Sequence, residues 1–144
     1  MAGSGAKKRV LVLCTGNSCR SQMAEGWVNH LLGAQWEARS AGTAPAAQVH
    51  PLAVRAMAEA GVDISGGKPE HVGVYLDQAW DLVVTVCDSV RETCPTFPRP
   101  VLKLHISFFD PAAAEGTDDE KMTVFRRVRD EIRDRLVPDV RARA

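Results

Sequence analysis

Apolar and polar positions along this chain follow two rhythms. Val10-Leu11-Val12-Leu13 is an uninterrupted apolar run, the pattern of a strand covered on both faces. From Arg20 to Leu32 the apolar groups Met23, Ala24, Trp27, Val28, Leu31 and Leu32 recur at spacings of three and four, which predicts a helix starting near Arg20. Residues 35–41 read as a second strand with Trp36 and Ala38 on one face, closed by the turn Ala41-Gly42-Thr43. Pro51 suits a first helical position, and Leu52, Val54, Ala56, Met57 and Ala60 carry a helix that Gly61 ends. After a loop over 62–69, a short helix is expected through Val74, Leu76 and Ala79. Residues 81–87 and 101–106 supply two further strands. Thr117 with Glu120 three residues on matches a capping box, and Val124, Phe125, Val128, Ile132 and Leu136 form the buried stripe of a last helix.

Strands alternating with helices predict an α/β fold, an open four-stranded parallel sheet with helices on both faces, in which ligands bind beyond the carboxyl ends of the strands. Length argues for a single domain over 1–144, since 144 residues can bury roughly two-thirds of the unfolded surface without staples. The ends, 1–8 and 138–144, are expected to fray.

Charge narrows the partners. Lys+Arg and Asp+Glu both number 18, so the net charge is zero and neither nucleic acid nor an anionic membrane is an expected partner. The apolar run after the basic N-terminus is too short for a signal peptide or a membrane span, which points to the cytoplasm. In a reducing compartment four cysteines are more readily catalytic or metal-binding than structural. Cys87-x6-Cys94 is too wide for a zinc knuckle, and no His or Cys nearby completes a tetrahedral set.

The chemistry concentrates in Cys14-Thr15-Gly16-Asn17-Ser18-Cys19-Arg20-Ser21. Small residues between a strand and a helix can wrap an anion, with the unpaired N–H groups of the helix start pointing back at the loop. A thiol there has its ionised form favoured by every neighbour, so Cys14 is expected as a thiolate at neutral pH. Arg20 can grip two oxygens of a tetrahedral anion with its planar guanidinium, and Ser21 can hydrogen-bond the sulfur. Cys14, Cys87 and Asp110 all follow predicted strands, which sets them at one edge of one sheet.

The segment from Cys14 to Trp27, with Ser40-Ala41-Gly42, 81–87, Cys94-Pro95, Phe109-Asp110-Pro111 and 125–132, resembles the thioredoxin-coupled arsenate reductases, which share the low-molecular-weight protein tyrosine phosphatase fold. The resemblance implies roles. Cys14 would attack arsenate, for which phosphate and sulfate are analogues, within a cradle of Thr15, Gly16, Asn17, Ser18, Cys19 and Arg20. Cys87 would attack the adduct, Cys94 would resolve the resulting disulfide, and thioredoxin would reduce the Cys87–Cys94 bond that remains. Asp110 would be the general acid. Asn17, Glu25, Ser40 and the position of Glu70, aspartate in the family, would correspond to a potassium site found in some members; no tightly bound cofactor is otherwise implied. Cys19 is assigned a structural role.

Two other functions use parts of the same constellation. A low-molecular-weight tyrosine phosphatase would use Cys14, Arg20 and Asp110 on a phosphate ester, but it needs no Cys87–Cys94 pair. Such phosphatases usually carry tyrosines where this chain has Ala112-Ala113-Ala114. A non-catalytic oxyanion-binding module would need the cradle alone.

Overall fold

A computed structural model of the protein describes residues 6–87 and 97–143. In chain order the elements are β1 (Lys8–Cys14), α1 (Arg20–Leu31), β2 (Trp36–Gly42), α2 (Pro51–Glu59), a 3-10 turn at Val72–Tyr75, β3 (Leu82–Thr85), β4 (Leu102–His105), a 3-10 turn at Pro111–Ala113, and α3 (Asp118–Arg141). The four strands are all parallel and lie in the order β2-β1-β3-β4. Val10 to Leu13 of β1 and Leu82 to Val84 of β3 are almost wholly buried whichever way their side chains point, so both faces of the sheet centre are covered. Helix α1 packs on β1 and β2 and against α3, which in turn packs on α2.

Strand order places the site. The chain leaves β1 for one neighbour and later returns on β1's other side as β3, and the crevice at such a reversal lies beyond the carboxyl ends of the strands. There Leu13 pairs with Thr85, and Cys14 with Gly42. A side chain at Gly42 would collide with the carbonyl oxygens of Thr15 and Cys14. Only glycine lets the chain turn there so close to β2.

The structure corrects three expectations. Between 70 and 80 there is one 3-10 turn in place of a helix through Val74, Leu76 and Ala79; Val72 and Tyr75, three apart, point inward while Val74 is exposed. The third strand is shorter than 81–87. Asp81 N donates to Arg9 O at 2.9 Å, but the Arg9 N–H is taken by the Asp81 carboxylate at 2.7 Å, so a side chain accepts just before β3 begins, and Cys87 lies two residues past its end.

The third correction concerns the ends of the chain. Pro138 does not begin a frayed tail: α3 runs through it to Arg141, although proline removes one helical hydrogen bond. Burial outweighs that loss, because Val137 and Val140 are both packed in the core. The other end is tied to it. Lys8, the first residue of β1, sends its Nζ to the Arg143 carbonyl at 2.6 Å. The capping box at the start of α3 is formed as expected, with Thr117 Oγ1 accepting from Glu120 N at 3.2 Å and Glu120 Oε1 from Thr117 N at 3.0 Å.

Truncation after Val137 is predicted to cost about 2 kcal/mol, the worth of one buried valine side chain. Denaturant unfolding measures this, and an unchanged midpoint would mean that the last turn contributes nothing.

Candidate active site

Residues 15–19 form a loop whose backbone polarity is fixed from outside. The segment after β2 lies against it and takes up its carbonyls: Ala44 N donates to Thr15 O (3.0 Å), Ala46 N to Gly16 O (2.8 Å) and His50 N to Ser18 O (2.9 Å). Asn17 has φ of 51°, a left-handed conformation that asparagine tolerates better than most residues. With the carbonyls bonded outward and one residue inverted, successive N–H groups can converge on a common point, an anion-binding nest. The start of α1 adds its first-turn N–H groups, and the Cys19 side chain leaves them uncapped.

Three side chains address that point. Cys14 is buried at the end of β1, and its Sγ lies 2.8 Å from Ser21 Oγ, itself fully buried and bonded by Asn17 Nδ2 at 2.7 Å. Arg20 is clamped by its Nη1, which donates to Phe108 O at 3.2 Å, and its Nη2 lies 3.6 Å from Asp110 Oδ2. Its Nε is buried and has no hydrogen-bond partner among the described residues. A buried guanidinium N–H without an acceptor is costly, and an oxyanion in the loop would satisfy it. Asp110 is the more open of the pair, with 45% of its side chain exposed, and its other oxygen accepts from Ala112 N at 3.0 Å.

The two remaining described cysteines differ. Cys87 is buried at the rim of the loop, its Sγ 3.4 Å from Thr15 Oγ1. Cys19 points away from solvent, and burial pushes its thiol up to about 12 against the pull of its hydrogen bond from Ser18. It therefore stays protonated at neutral pH and packs in the core. Cys94 lies outside the described residues.

The four residues of the expected potassium site come together only in part. Glu25, Ser40 and Glu70 line a cavity of ≈ 250 Å³ with Arg39 and Tyr75. Glu25 accepts from Ser40 Oγ and Glu70 from Tyr75 OH at 2.7 Å. Burial pushes the Glu25 carboxyl upward, opposed by Ser40. These three oxygen donors fit a hard monovalent cation, whose charge would offset the half-buried carboxylates. Asn17 does not join them, since its Oδ1 already accepts from Gln22 Nε2 (3.2 Å) and Glu70 N (2.9 Å). Among the described residues no three His, Cys, Asp or Glu side chains converge as a metal cluster. A roomier cavity of ≈ 440 Å³ beside Glu25 and Asn29 does not include Cys14.

The carbonyl clamp of 44–50, the Thr15–Cys87 contact and the Gln22–Asn17 bond are absent from the sequence reading. Each is a contact between segments that no local period reports. The histidine caps are local and visible: His50 Nδ1 accepts from Leu52 N and His71 Nδ1 from Gly73 N.

Comparison with known proteins agrees with this fold. The family model for low molecular weight phosphotyrosine protein phosphatase matches residues 9–138. An arsenate reductase of Halalkalibacterium halodurans is 52% identical over 130 residues, covering 90% of this chain and 93% of that protein. A solved arsenate reductase in the phosphate-binding state superposes with a TM-score of 0.75 at 29% identity, covering 95% of this chain and 99% of the other. A thioredoxin-dependent arsenate reductase of Corynebacterium glutamicum superposes with a TM-score of 0.69 at 28% identity, covering 98% of this chain and 65% of the other. Among the described residues no helix is long and apolar enough to cross a membrane.

A pH dependence follows from Glu25. Its folded value lies above its unfolded one, so the fold favours the protonated form. That stability is full at pH below the unfolded value and is lost as pH rises through the raised one. Glu25→Gln should therefore gain thermal stability relative to the parent as pH rises through this window in potassium-free buffer. A difference in melting temperature that stays constant with pH would contradict it.

Proposed function

This chain belongs to the low molecular weight phosphotyrosine protein phosphatase family, and within it we propose that it reduces arsenate to arsenite through Cys14, Cys87 and Cys94 with thioredoxin as the final reductant. The observation that carries this reading over ester hydrolysis is the second thiol: Cys87 sits at the rim of the oxyanion loop against Thr15, where hydrolysis has no use for it. Its support includes the arsenate reductases among the relatives and the thioredoxin dependence of one structural neighbour.

The chemistry assigns each group a step. Arsenate enters the loop, with Arg20 and the N–H groups of 15–20 holding its oxygens. The Cys14 thiolate attacks arsenic and one oxygen leaves as water with a proton from Asp110, giving a sulfur–arsenic bond. Cys87 then attacks Cys14 Sγ. A Cys14–Cys87 bond forms, the sulfur–arsenic bond breaks, and its electron pair stays on arsenic, which leaves as arsenite. Cys94 attacks Cys87, freeing Cys14 and forming Cys87–Cys94, which a thioredoxin dithiol reduces. The Thr15 hydroxyl, 3.4 Å from Cys87 Sγ, holds that sulfur at the rim of the loop. The carboxylates of Glu25 and Glu70, with Ser40, would hold a potassium ion behind the loop.

Residue substitutions separate the reductase from a phosphatase. Cys14→Ser should abolish both arsenate reduction and hydrolysis of an aryl phosphate. Cys87→Ser and Cys94→Ser should each stop multiple-turnover reduction yet spare aryl phosphate hydrolysis. After turnover with arsenate and no reductant, non-reducing peptide mapping should find Cys87–Cys94 in the parent and Cys14–Cys87 in Cys94→Ser. A Cys14–Cys19 bond in the parent, with Cys87 and Cys94 still reduced, would overturn the relay.

A further inference from the structure

Gln22 takes no part in the chemistry above, yet it is a buried polar side chain on the first turn of α1, one residue from Ser21. We infer that Gln22 is a positioning residue for Cys14: with the backbone at Lys68 and Glu70 it fixes the direction of a hydrogen-bond chain, Gln22 to Asn17 to Ser21, so that the Ser21 proton is delivered to the Cys14 sulfur.

The direction is set by backbone groups of unambiguous polarity. The Lys68 carbonyl can only accept, so the Gln22 atom 3.2 Å from it is the NH₂ nitrogen. Gly67 leaves room for the other end of that amide, since a side chain there would strike Gln22 Oε1. The Glu70 N–H can only donate, so the Asn17 atom 2.9 Å from it is the oxygen. Both ends of the chain are thus assigned by chemistry and not by a choice of amide orientation. Asn17 Oδ1 receives two N–H bonds, from Glu70 and Gln22, which turns its NH₂ onto Ser21 Oγ at 2.7 Å. Ser21 is then an acceptor on that side, and its single proton points to Cys14 Sγ, 2.8 Å away. Were Asn17 reversed, its oxygen would compete for that proton and the thiolate would lose a donor.

The inference rests on Cys14 being the attacking thiol, and the test separates the two. Gln22→Glu keeps the shape but replaces the donor by an acceptor facing two acceptors, whereas Gln22→Met removes the donor without adding charge. Alkylation of Cys14 by iodoacetamide at neutral pH, followed by peptide mapping, and the thiolate ultraviolet absorbance read the sulfur directly, without turnover. Both variants should slow Cys14 alkylation and lower the thiolate signal, Gln22→Glu by about tenfold and Gln22→Met by about threefold, the range expected for loss of one buried hydrogen bond. The kcat for arsenate should fall in step while KM is kept, because the loop N–H groups and Arg20 are untouched. Unchanged alkylation in both variants overturns the inference. So does a change in Gln22→Glu alone, which would be the effect of added charge. If the fast-alkylating thiol of the parent is not Cys14, the underlying assignment fails as well. Should either variant fold poorly, NMR on the unmodified protein decides: the Asn17 NH₂ protons should lie against Ser21, and finding them against the Glu70 amide overturns the inference.

Discussion

Everything at this site depends on where the loop's carbonyls go. A buried turn of 15–19 presents N–H groups to an anion only if its oxygens are satisfied elsewhere, and the segment from Ala44 to His50 supplies three backbone donors for that purpose. That segment is held in place at both ends. At its start, Gly42 is pinned between β1 and an isolated β-bridge to His71; at its end, His50 caps α2 and its ring rests 4.8 Å from Phe125 of α3. The anion cradle is thus a product of sheet and helix packing, and not of the loop sequence alone.

The same burial that builds the cradle sorts its thiols. Cys14 and Cys19 are both buried and separated by one turn, yet Cys14 meets a hydroxyl that has already accepted a bond and has a proton to give. Cys19 faces the core, where desolvation dominates and holds its proton. Arg20 joins the two ends of the site by touching the chain at Phe108 and Asp110, so the Asp110 carboxylate is tied to the loop through the guanidinium. Its Nε, without a partner among the described residues, is a donor held at some energetic cost, an arrangement suited to a bound oxyanion.

Much of this was legible from residue patterns. The strand before Cys14, the helical stripe after Arg20 and the capping box at Thr117 are local signals, and each element formed near its expected bounds. The juxtaposition of Cys14, Cys87 and Asp110 followed from the parallel order of strands. What failed was also local inference. Pro138 reads as a helix stop because propensity is local, whereas Val140 holds the last turn by tertiary burial. Asn17 was assigned to a cation by resemblance, but its oxygen is taken by Gln22 and by the Glu70 N–H, fifty-three residues away. Such contacts leave no period or motif in the sequence.

The central claim is that the backbone of 15–20, with Arg20, is the oxyanion site. Titrating the reduced protein with phosphate or sulfate while following backbone amide resonances tests it most directly. Saturable shifts should concentrate on the amides of residues 15 to 20 and on the Arg20 Nε–H, with little change around the Glu25 cavity. Shifts centred on that cavity or spread over the surface, with the loop amides unmoved, would contradict the account.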